Sequence, residues 1–344
     1  MKIIQGDNMK IIKYSGNPIL KPNADNQWEN LCVLNPAVIY DDEQKKFVML
    51  YRAAGDDYEH FIRLGLAVSD DGFHFERVSD KPAMDVDEDD ADGGCIEDPR
   101  IIKMDGVYYI TYAGKPYYPA RYWIPEMVKR RNEERFHWPQ SGPTFVRDSH
   151  TTTYLAATTD FKRFKRLGRI TDSRYDDRDV VIFPEKVGGK FVRISRPKCD
   201  AQAPAVWISF GDDLMEWDVP TKLFSGVEEW EKERIGAGCP PIKTKDGWLL
   251  LYHGVSCVDQ YYRVGFVLLD LEDPTKILAR TKDFVMEPEF DYEVNGLWTG
   301  CVFPTGIVEK DGLLYIYYGC ADKYVAVATV SLEELLGYMN TLKK

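Results

Sequence analysis

Apolar positions in this chain recur in short alternating runs separated by polar turns, and the same phrase returns five times. Each phrase has a polar turn with Asp or Gly, an aromatic-rich strand, and a second strand ending in an acidic turn. Residues 40–51 and 64–75 make the first copy, with Asp71-Gly72 as a hairpin turn. Pro99, the Asp105-Gly106 turn, residues 107–112 and then 153–160 make the second. The third joins 180–183 to 188–194 and 205–210, the fourth 241–252 to 262–270, and the fifth 305–318 to 324–330. Five hairpin-rich modules predict an all-β fold, a five-bladed β-propeller spanning residues 1–344 as a single domain, because radial repetition leaves only short sheet edges. In such a ring the first strand of each module lines the central channel. Asn35, Asp98, Phe183-Pro184, Pro240-Pro241 and Phe303-Pro304 are read as that shared position.

Two segments depart from the repeat. Residues 115–149 form an insertion in the second blade, with a short charged helix expected from Ile124 to Phe136 and Pro125 in its first turn. Its aromatics Tyr117, Tyr118, Tyr122 and Trp123 suit a lid that stacks on sugar rings. They suit equally a helix docked on the propeller or on a neighbouring subunit, so a homo-oligomer is compatible with the sequence. Residues 331–339 read as a capped closing helix, Ser331 being followed three positions on by Glu334.

Composition narrows the picture. An apolar fraction of 44% with 13% aromatic residues describes a folded globular chain, and 21 tyrosines with 8 tryptophans favour strands. No apolar stretch reaches signal-peptide or membrane-spanning length, so a cytoplasmic location is expected. Seven cysteines, an odd count without C-x-x-C spacing, point to buried reduced thiols rather than a disulfide framework or a zinc site. Neither a metal nor an organic cofactor is expected. A net charge of −12 argues against nucleic acid or a membrane surface as partner. Any anion must therefore be caught by a local cluster.

Such a cluster can be assembled on paper. Asp98, in Cys95-Ile96-Glu97-Asp98-Pro99-Arg100, sets a carboxylic acid at a channel position, although an Asx turn opening a strand would use the same residue. Arg178, Arg196, Arg234 and His253 are the candidate cations, each beside a strand-like run or a glycine turn, and a guanidinium fork matches an oxyanion. Bland alternatives stand beside them. Arg178 lies among Asp176, Asp177 and Asp179 and would serve a surface charge network, and His253 within an apolar strand would serve as a core histidine.

Seven phrases in order give the chain a specific likeness. They are Asn35-Pro36-Ala37, Tyr51-Arg52-Ala53, Glu97-Asp98-Pro99-Arg100, Phe183-Pro184-Glu185-Lys186 with Arg196-Pro197, Ile235-Gly236-Ala237-Gly238, Trp248 to Gly254 with His253, and Tyr318-Gly319-Cys320-Ala321-Asp322. The chain resembles glycoside hydrolase family 130, the five-bladed mannoside phosphorylases and related mannosidases, outside the 115–149 insertion. The resemblance implies Asp98 as general acid, its proton reaching the glycosidic oxygen through a mannosyl hydroxyl or directly. It further implies inorganic phosphate, a co-substrate rather than a cofactor, at Arg178, Arg196, Arg234 and His253, and the mannosyl ring at Asn35, Arg52 and Asp322. Tyr262 and Phe303 fall near the phosphate or acceptor positions. Arg234 stands where the phosphorylases usually carry Lys. The implied reaction is inverting phosphorolysis of a short β-mannoside to α-mannose 1-phosphate. One carboxylate suffices for it, because phosphate arrives already anionic whereas water needs a second carboxylate as base. A hydrolase on the same fold would need that base, with Glu185 or Glu233 as candidates, and a non-catalytic carbohydrate-binding propeller is the third reading.

Overall fold

The structure, a computed structural model, describes residues 9–87, 92–121, 123–134, 150–198 and 203–343. The first strand in the chain, β1 (Ile12–Lys13), is used last in the ring. Blade 1 runs outward as β2 (Cys32–Asp41), β3 (Lys46–Ala54), β4 (Ile62–Ser69) and β5 (Glu76–Arg77), antiparallel throughout. Blade 2 repeats the meander with β6 (Cys95–Met104), β7 (Val107–Lys115), β8 (Thr152–Thr158) and β9 (Lys165–Arg169). Blade 3 is β10 (Asp176–Ile182), β11 (Phe191–Lys198), β12 (Ala205–Gly211) and β13 (Thr221–Ser225). Blade 4 has a divided first strand, β14 (Arg234–Ala237) and β15 (Ile242–Thr244), before β16 (Gly247–Val255), β17 (Tyr262–Leu269) and β18 (Ile277–Arg280). Blade 5 is β19 (Val302–Lys310), β20 (Leu313–Cys320) and β21 (Tyr324–Ser331), completed by β1, with Ile12 opposite Thr329. Neighbouring blades touch in cyclic order and β19 returns to β2, so the ring is a closed five-bladed propeller.

The core lies in the seams. Strand alternation sends Val180 and Ile182 of β10 toward blade 2, where they meet Ile102 and Leu155, and sends Val181 and Phe183 toward blade 4, where they meet Trp248 and Leu250. The other three seams repeat the arrangement, around Leu50 with Ile110, Leu251 with Ile316, and Met49 with Val327. Each fully buried aliphatic side chain contributes about 1.5–3 kcal/mol, so the ring is held by many equivalent contacts rather than one centre.

Four blades carry the same buried polar device. A second-strand tyrosine donates its hydroxyl to a carboxylate from the segment before the blade, and that carboxylate also binds a cation from the blade's outer edge. The sets are Tyr51, Glu29 and Arg77; Tyr112, Asp92 and Arg166; Tyr252, Glu231 and Arg280; and Tyr318, Glu293 and Lys13. In blade 3 Ser195 stands at the equivalent place, and no such set is formed there among the described residues.

The insertion helix is α1 (Pro125–Glu134), with Pro125 at its first position; Tyr122 and residues 135–149 lie outside the described residues. Glu293 sits on the one-turn α2 (Asp291–Val294), and the closing helix α3 (Leu332–Thr341) is capped by Ser331, whose Oγ accepts the Glu334 N–H at 3.3 Å. Among the described residues no helix is long and apolar enough to cross a membrane. The six described cysteines are unpaired; Cys257 is exposed and the other five are buried, while Cys199 lies outside the described residues.

Two register details differ from the sequence reading. Blade 3 begins at Asp176, so Phe183-Pro184 follows its first strand instead of opening it, and blade 4 begins at Arg234, ahead of Pro240-Pro241. The reason is that Asn35-Pro36 and Asp98-Pro99 made proline look like the marker of the channel position. In blade 3 that position is Asp179, followed by Val180.

Candidate active site

Four first strands are bulged, β19 between Pro304 and Gly306, and in the other three the bulge holds a left-handed residue. In β2, β6 and β10 the ladder shifts between Leu34 and Ala37, between Glu97 and Arg100, and between Arg178 and Val181. Inside each gap a non-glycine residue takes a left-handed backbone: Asn35 at φ 46°, Asp98 at 54° and Asp179 at 55°. Asn and Asp tolerate this region better than other side chains, and a bulge re-aims the residue it displaces. All three line one cavity of about 280 Å³ on the propeller axis.

The cavity also gathers Arg52, Arg178, Arg196, Arg234, His253, Tyr262, Phe303 and Asp322, so the ten residues singled out from the sequence share one wall-to-wall space. Glu185 and Glu233, the candidate bases of a hydrolase, do not line it, and Glu185 is instead paired with Lys243.

On the acid side, Asp98 Oδ1 accepts from Asn35 Nδ2 at 2.7 Å and from Arg52 Nη1 at 3.0 Å, and Arg52 Nη1 is also 3.0 Å from Glu97 Oε2. Arg100 braces the kink by donating to the Asp98 carbonyl at 2.8 Å and the Gly238 carbonyl at 3.0 Å. Burial works to raise the Asp98 carboxyl, but Arg52, Arg100 and the Asn35 hydrogen bond outweigh it and hold it below its ordinary value. Gly319 makes room for this group, since a Cβ there would overlap the Asn35 side chain.

On the cation side, Arg178 grips Asp176 with Nε and Nη2 at 2.8 and 3.0 Å, and Arg196 Nε donates to Asp179 Oδ2 at 2.6 Å. Arg234 donates to the Tyr262 hydroxyl and lies 5.8 Å from that ring's centre. Among the described residues neither Arg196 Nη atom has a protein acceptor. These are the donors an oxyanion would take.

His253 is fully buried, with its ring 4.6 Å from that of Phe303 and its Nε2 3.5 Å from Asp179 Oδ2. Burial first, then Arg196, Arg100 and Arg234, push it down to about 3 against the pull of Asp179, so the imidazole is neutral. This corrects its place among the cations: it offers an N–H, and the positive charge comes from the arginines. Gly236, opposite His253 in the ladder, permits the pair, because a Cβ there would overlap Asp179 Oδ2 and lie 2.7 Å from His253 Cε1.

Sequence reasoning missed Glu97, Asp179, Lys115 and Trp298, all of which line the cavity. Glu97 and Asp179 lay inside quoted phrases, as neighbours of Asp98 and Arg178, and the acid at the bulge position was the available signal for Asp179.

Comparison with known proteins bears on the same residues. The family profile described as β-1,4-mannooligosaccharide phosphorylase matches residues 2–132 and 144–341. Only 133–143 of the insertion fall outside it, a narrower gap than the 115–149 expected. A 1,2-β-oligomannan phosphorylase of Thermoanaerobacter sp. (strain X514) is 37% identical over 332 residues, covering 95% of this chain and 99% of that protein. A β-1,2-mannobiose phosphorylase of the same organism is 35% identical, covering 95% and 99%. Among solved structures, β-1,2-mannobiose phosphorylase from Listeria innocua in complex with β-1,2-mannobiose superposes with a TM-score of 0.79 at 25% identity, covering 97% of this chain and 100% of that one. The chain belongs to glycoside hydrolase family 130.

Proposed function

We propose that the protein phosphorolyses a short β-mannoside with inversion, and that its substrates are β-1,2-linked mannobiose or oligomannan. The observation that carries the reading is that Asp98 shares a cavity of about 280 Å³ with Arg178, Arg196 and Arg234, and that the Arg196 Nη groups, without a protein acceptor among the described residues, suit a phosphate. Glu97 and Asp179 are tied to arginines, and neither is placed as a free base for water. The names of the two relatives at 37% and 35% identity favour the β-1,2 linkage; a β-1,4-mannooligosaccharide phosphorylase of Ruminococcus albus is 29% identical.

In this reading Asn35, Arg52 and Asp322 hold the mannosyl ring against Asp98, with Tyr262 and Phe303 beside the anion. The arginines and the His253 N–H orient orthophosphate so that one oxygen attacks the anomeric carbon from the face opposite the leaving group. The C1–O bond to the leaving sugar breaks as the phosphate O–C1 bond forms, the leaving oxygen takes the Asp98 proton, directly or through a mannosyl hydroxyl, and the negative charge that the phosphate loses on esterification is left on the Asp98 carboxylate. The product is α-mannose 1-phosphate.

Incubation of the purified protein with β-1,2- and β-1,4-mannobiose, with and without orthophosphate, tests this. Expected is phosphate-dependent appearance of α-mannose 1-phosphate, faster from the β-1,2 compound. Equal release of free mannose without phosphate would establish a hydrolase, and no turnover of either would leave a binding propeller.

A further inference from the structure

We propose that Lys115 is a phosphate-binding residue of this cavity, closing on the anion from blade 2 while Arg196 and Arg234 hold it from blades 3 and 4. The proposal rests on the phosphorolysis reading and adds a contact to it.

Lys115 ends β7, opposite Cys95 in the ladder, and its carbonyl accepts the Gly94 N–H at 2.8 Å, so its backbone is held against the start of β6. Its place on the pleat gives its direction. Thr111, four residues earlier and therefore on the same face, donates Oγ1 to the Val180 carbonyl of β10 at 2.8 Å. That face looks across the blade 2 to blade 3 seam, and two pleat steps further along it Lys115 reaches the cavity that Arg178, Glu97 and Asp98 also line.

Every other cation on this wall has a protein partner. Arg52 has Glu97 and Asp98, Arg178 has Asp176, Arg196 has Asp179, and Arg234 has the Tyr262 hydroxyl. Lys115 has no carboxylate within ion-pair distance and no hydrogen-bond acceptor among the described residues. Glu97, the nearest candidate, is already 3.0 Å from Arg52 and 3.8 Å from Arg178. Partial burial and the like charge of Arg178 depress the Lys115 ammonium, with Glu97 opposing. A half-buried ammonium facing another cation is costly unless an anion sits between them, and a phosphate with several oxygens can bridge both.

The test uses Lys115→Met and Lys115→Gln in the full-length protein, with Lys115→Arg as rescue. Steady-state kinetics on β-1,2-mannobiose and orthophosphate, and synthesis from mannose 1-phosphate and mannose, supply the readout. Loss of a charged contact should raise KM for orthophosphate and for mannose 1-phosphate by about tenfold or more, while KM for mannobiose stays within about twofold. Lys115→Arg should restore most of the loss, and the increase in melting temperature on adding orthophosphate should shrink in Lys115→Met and Lys115→Gln. An unchanged KM for orthophosphate, or an equal rise for mannobiose, overturns the assignment. Failure of the wild-type protein to form any sugar phosphate would instead defeat the phosphorolysis reading itself, so the two outcomes are distinct.

Discussion

Replacing Asp98 by Asn isolates the proton from everything else the carboxylate does. Asn keeps an Oδ1 acceptor for Asn35 Nδ2, now at 2.7 Å, and for Arg52 Nη1, now at 3.0 Å, and Arg52 retains Glu97 at 3.0 Å as counter-charge. The side chain is only 12% exposed and its volume is unchanged, so neither a cavity nor an unpaired charge results. What disappears is the ability to protonate the leaving oxygen, which for a positioned acid contributes about 10²–10⁴ in rate, or about 3–5.5 kcal/mol of barrier. The assay is phosphorolysis of β-1,2-mannobiose at saturating orthophosphate, with mannose 1-phosphate quantified by chromatography and orthophosphate affinity measured separately. Expected is a fall in kcat within that range while orthophosphate binds at least as tightly as to wild type. Activity within about threefold of wild type would refute the acid assignment, since a positioned general acid typically contributes about 10²–10⁴. A larger loss in Glu97→Gln than in Asp98→Asn would move the acid one residue back.

Two further substitutions test how the cation side is built. Asp177, fully buried and bonded through Oδ1 to the Arg196 N–H at 3.0 Å, is pushed up to about 7 by burial, with Arg193 and Arg196 opposing. Between the ordinary carboxylate range and pH 7 the native state then holds a proton that the unfolded chain has released, so stability falls as pH rises, by about 1.4 kcal/mol per unit. Asp177→Asn should therefore gain stability over wild type from pH 5 to pH 8 in urea unfolding, and an identical difference at both pH values would contradict this. Gly236→Ala inserts a methyl between Asp179 and His253; it should cost about 1–3 kcal/mol in denaturant midpoint and raise KM for orthophosphate, and wild-type behaviour in both would show that the contact is not tight.

The propeller was legible because its information is local. Asp105-Gly106 and Asp311-Gly312 each close a hairpin with positive φ at both residues, and the alternation on either side fixes the register. Blade 3 was misread at its start because Asp176-Asp177-Arg178-Asp179 resembles a solvated surface run. In the fold Asp177 and Asp179 are buried and Asp176 and Arg178 half-buried: Arg196 and Arg100 from other strands neutralise Asp179, the Arg196 backbone N–H bonds Asp177, and Asp176 pairs with Arg178 itself. Pairing across strands leaves no mark on a local window. Lys115 was hidden for a related reason: it stands where the repeat gives way to the insertion and reads as a boundary. The tyrosine devices had a usable signal, because the carboxylate precedes its tyrosine by 22, 20, 21 and 25 residues in the four blades. A regular offset of that kind is invisible in one copy and evident across a repeat.

A single carboxylate can serve this chemistry only if the nucleophile helps to protonate it. In the ligand-free site Arg52 and Arg100 keep Asp98 below its ordinary value, so near neutral pH it is an acceptor and cannot donate a proton. On the proposed assignment, orthophosphate at Arg178, Arg196 and Arg234 brings a second anion into the same small, partly desolvated space. Two like charges there cannot both remain fully ionised, and the arginine field that favoured the Asp98 carboxylate is partly consumed by the phosphate. Both effects move the Asp98 proton affinity upward at the moment a donor is required. Linkage makes the effect reciprocal: if phosphate raises the proton affinity of Asp98, a neutral side chain at position 98 must strengthen phosphate binding by the same factor. Asn supplies that neutral side chain permanently, which is why Asp98→Asn should lose turnover without losing phosphate. Water offers no such coupling. A hydrolase in this cavity would need a second, unpaired carboxylate to activate it, and Glu97 and Asp179 are already held by Arg52, Arg178 and Arg196.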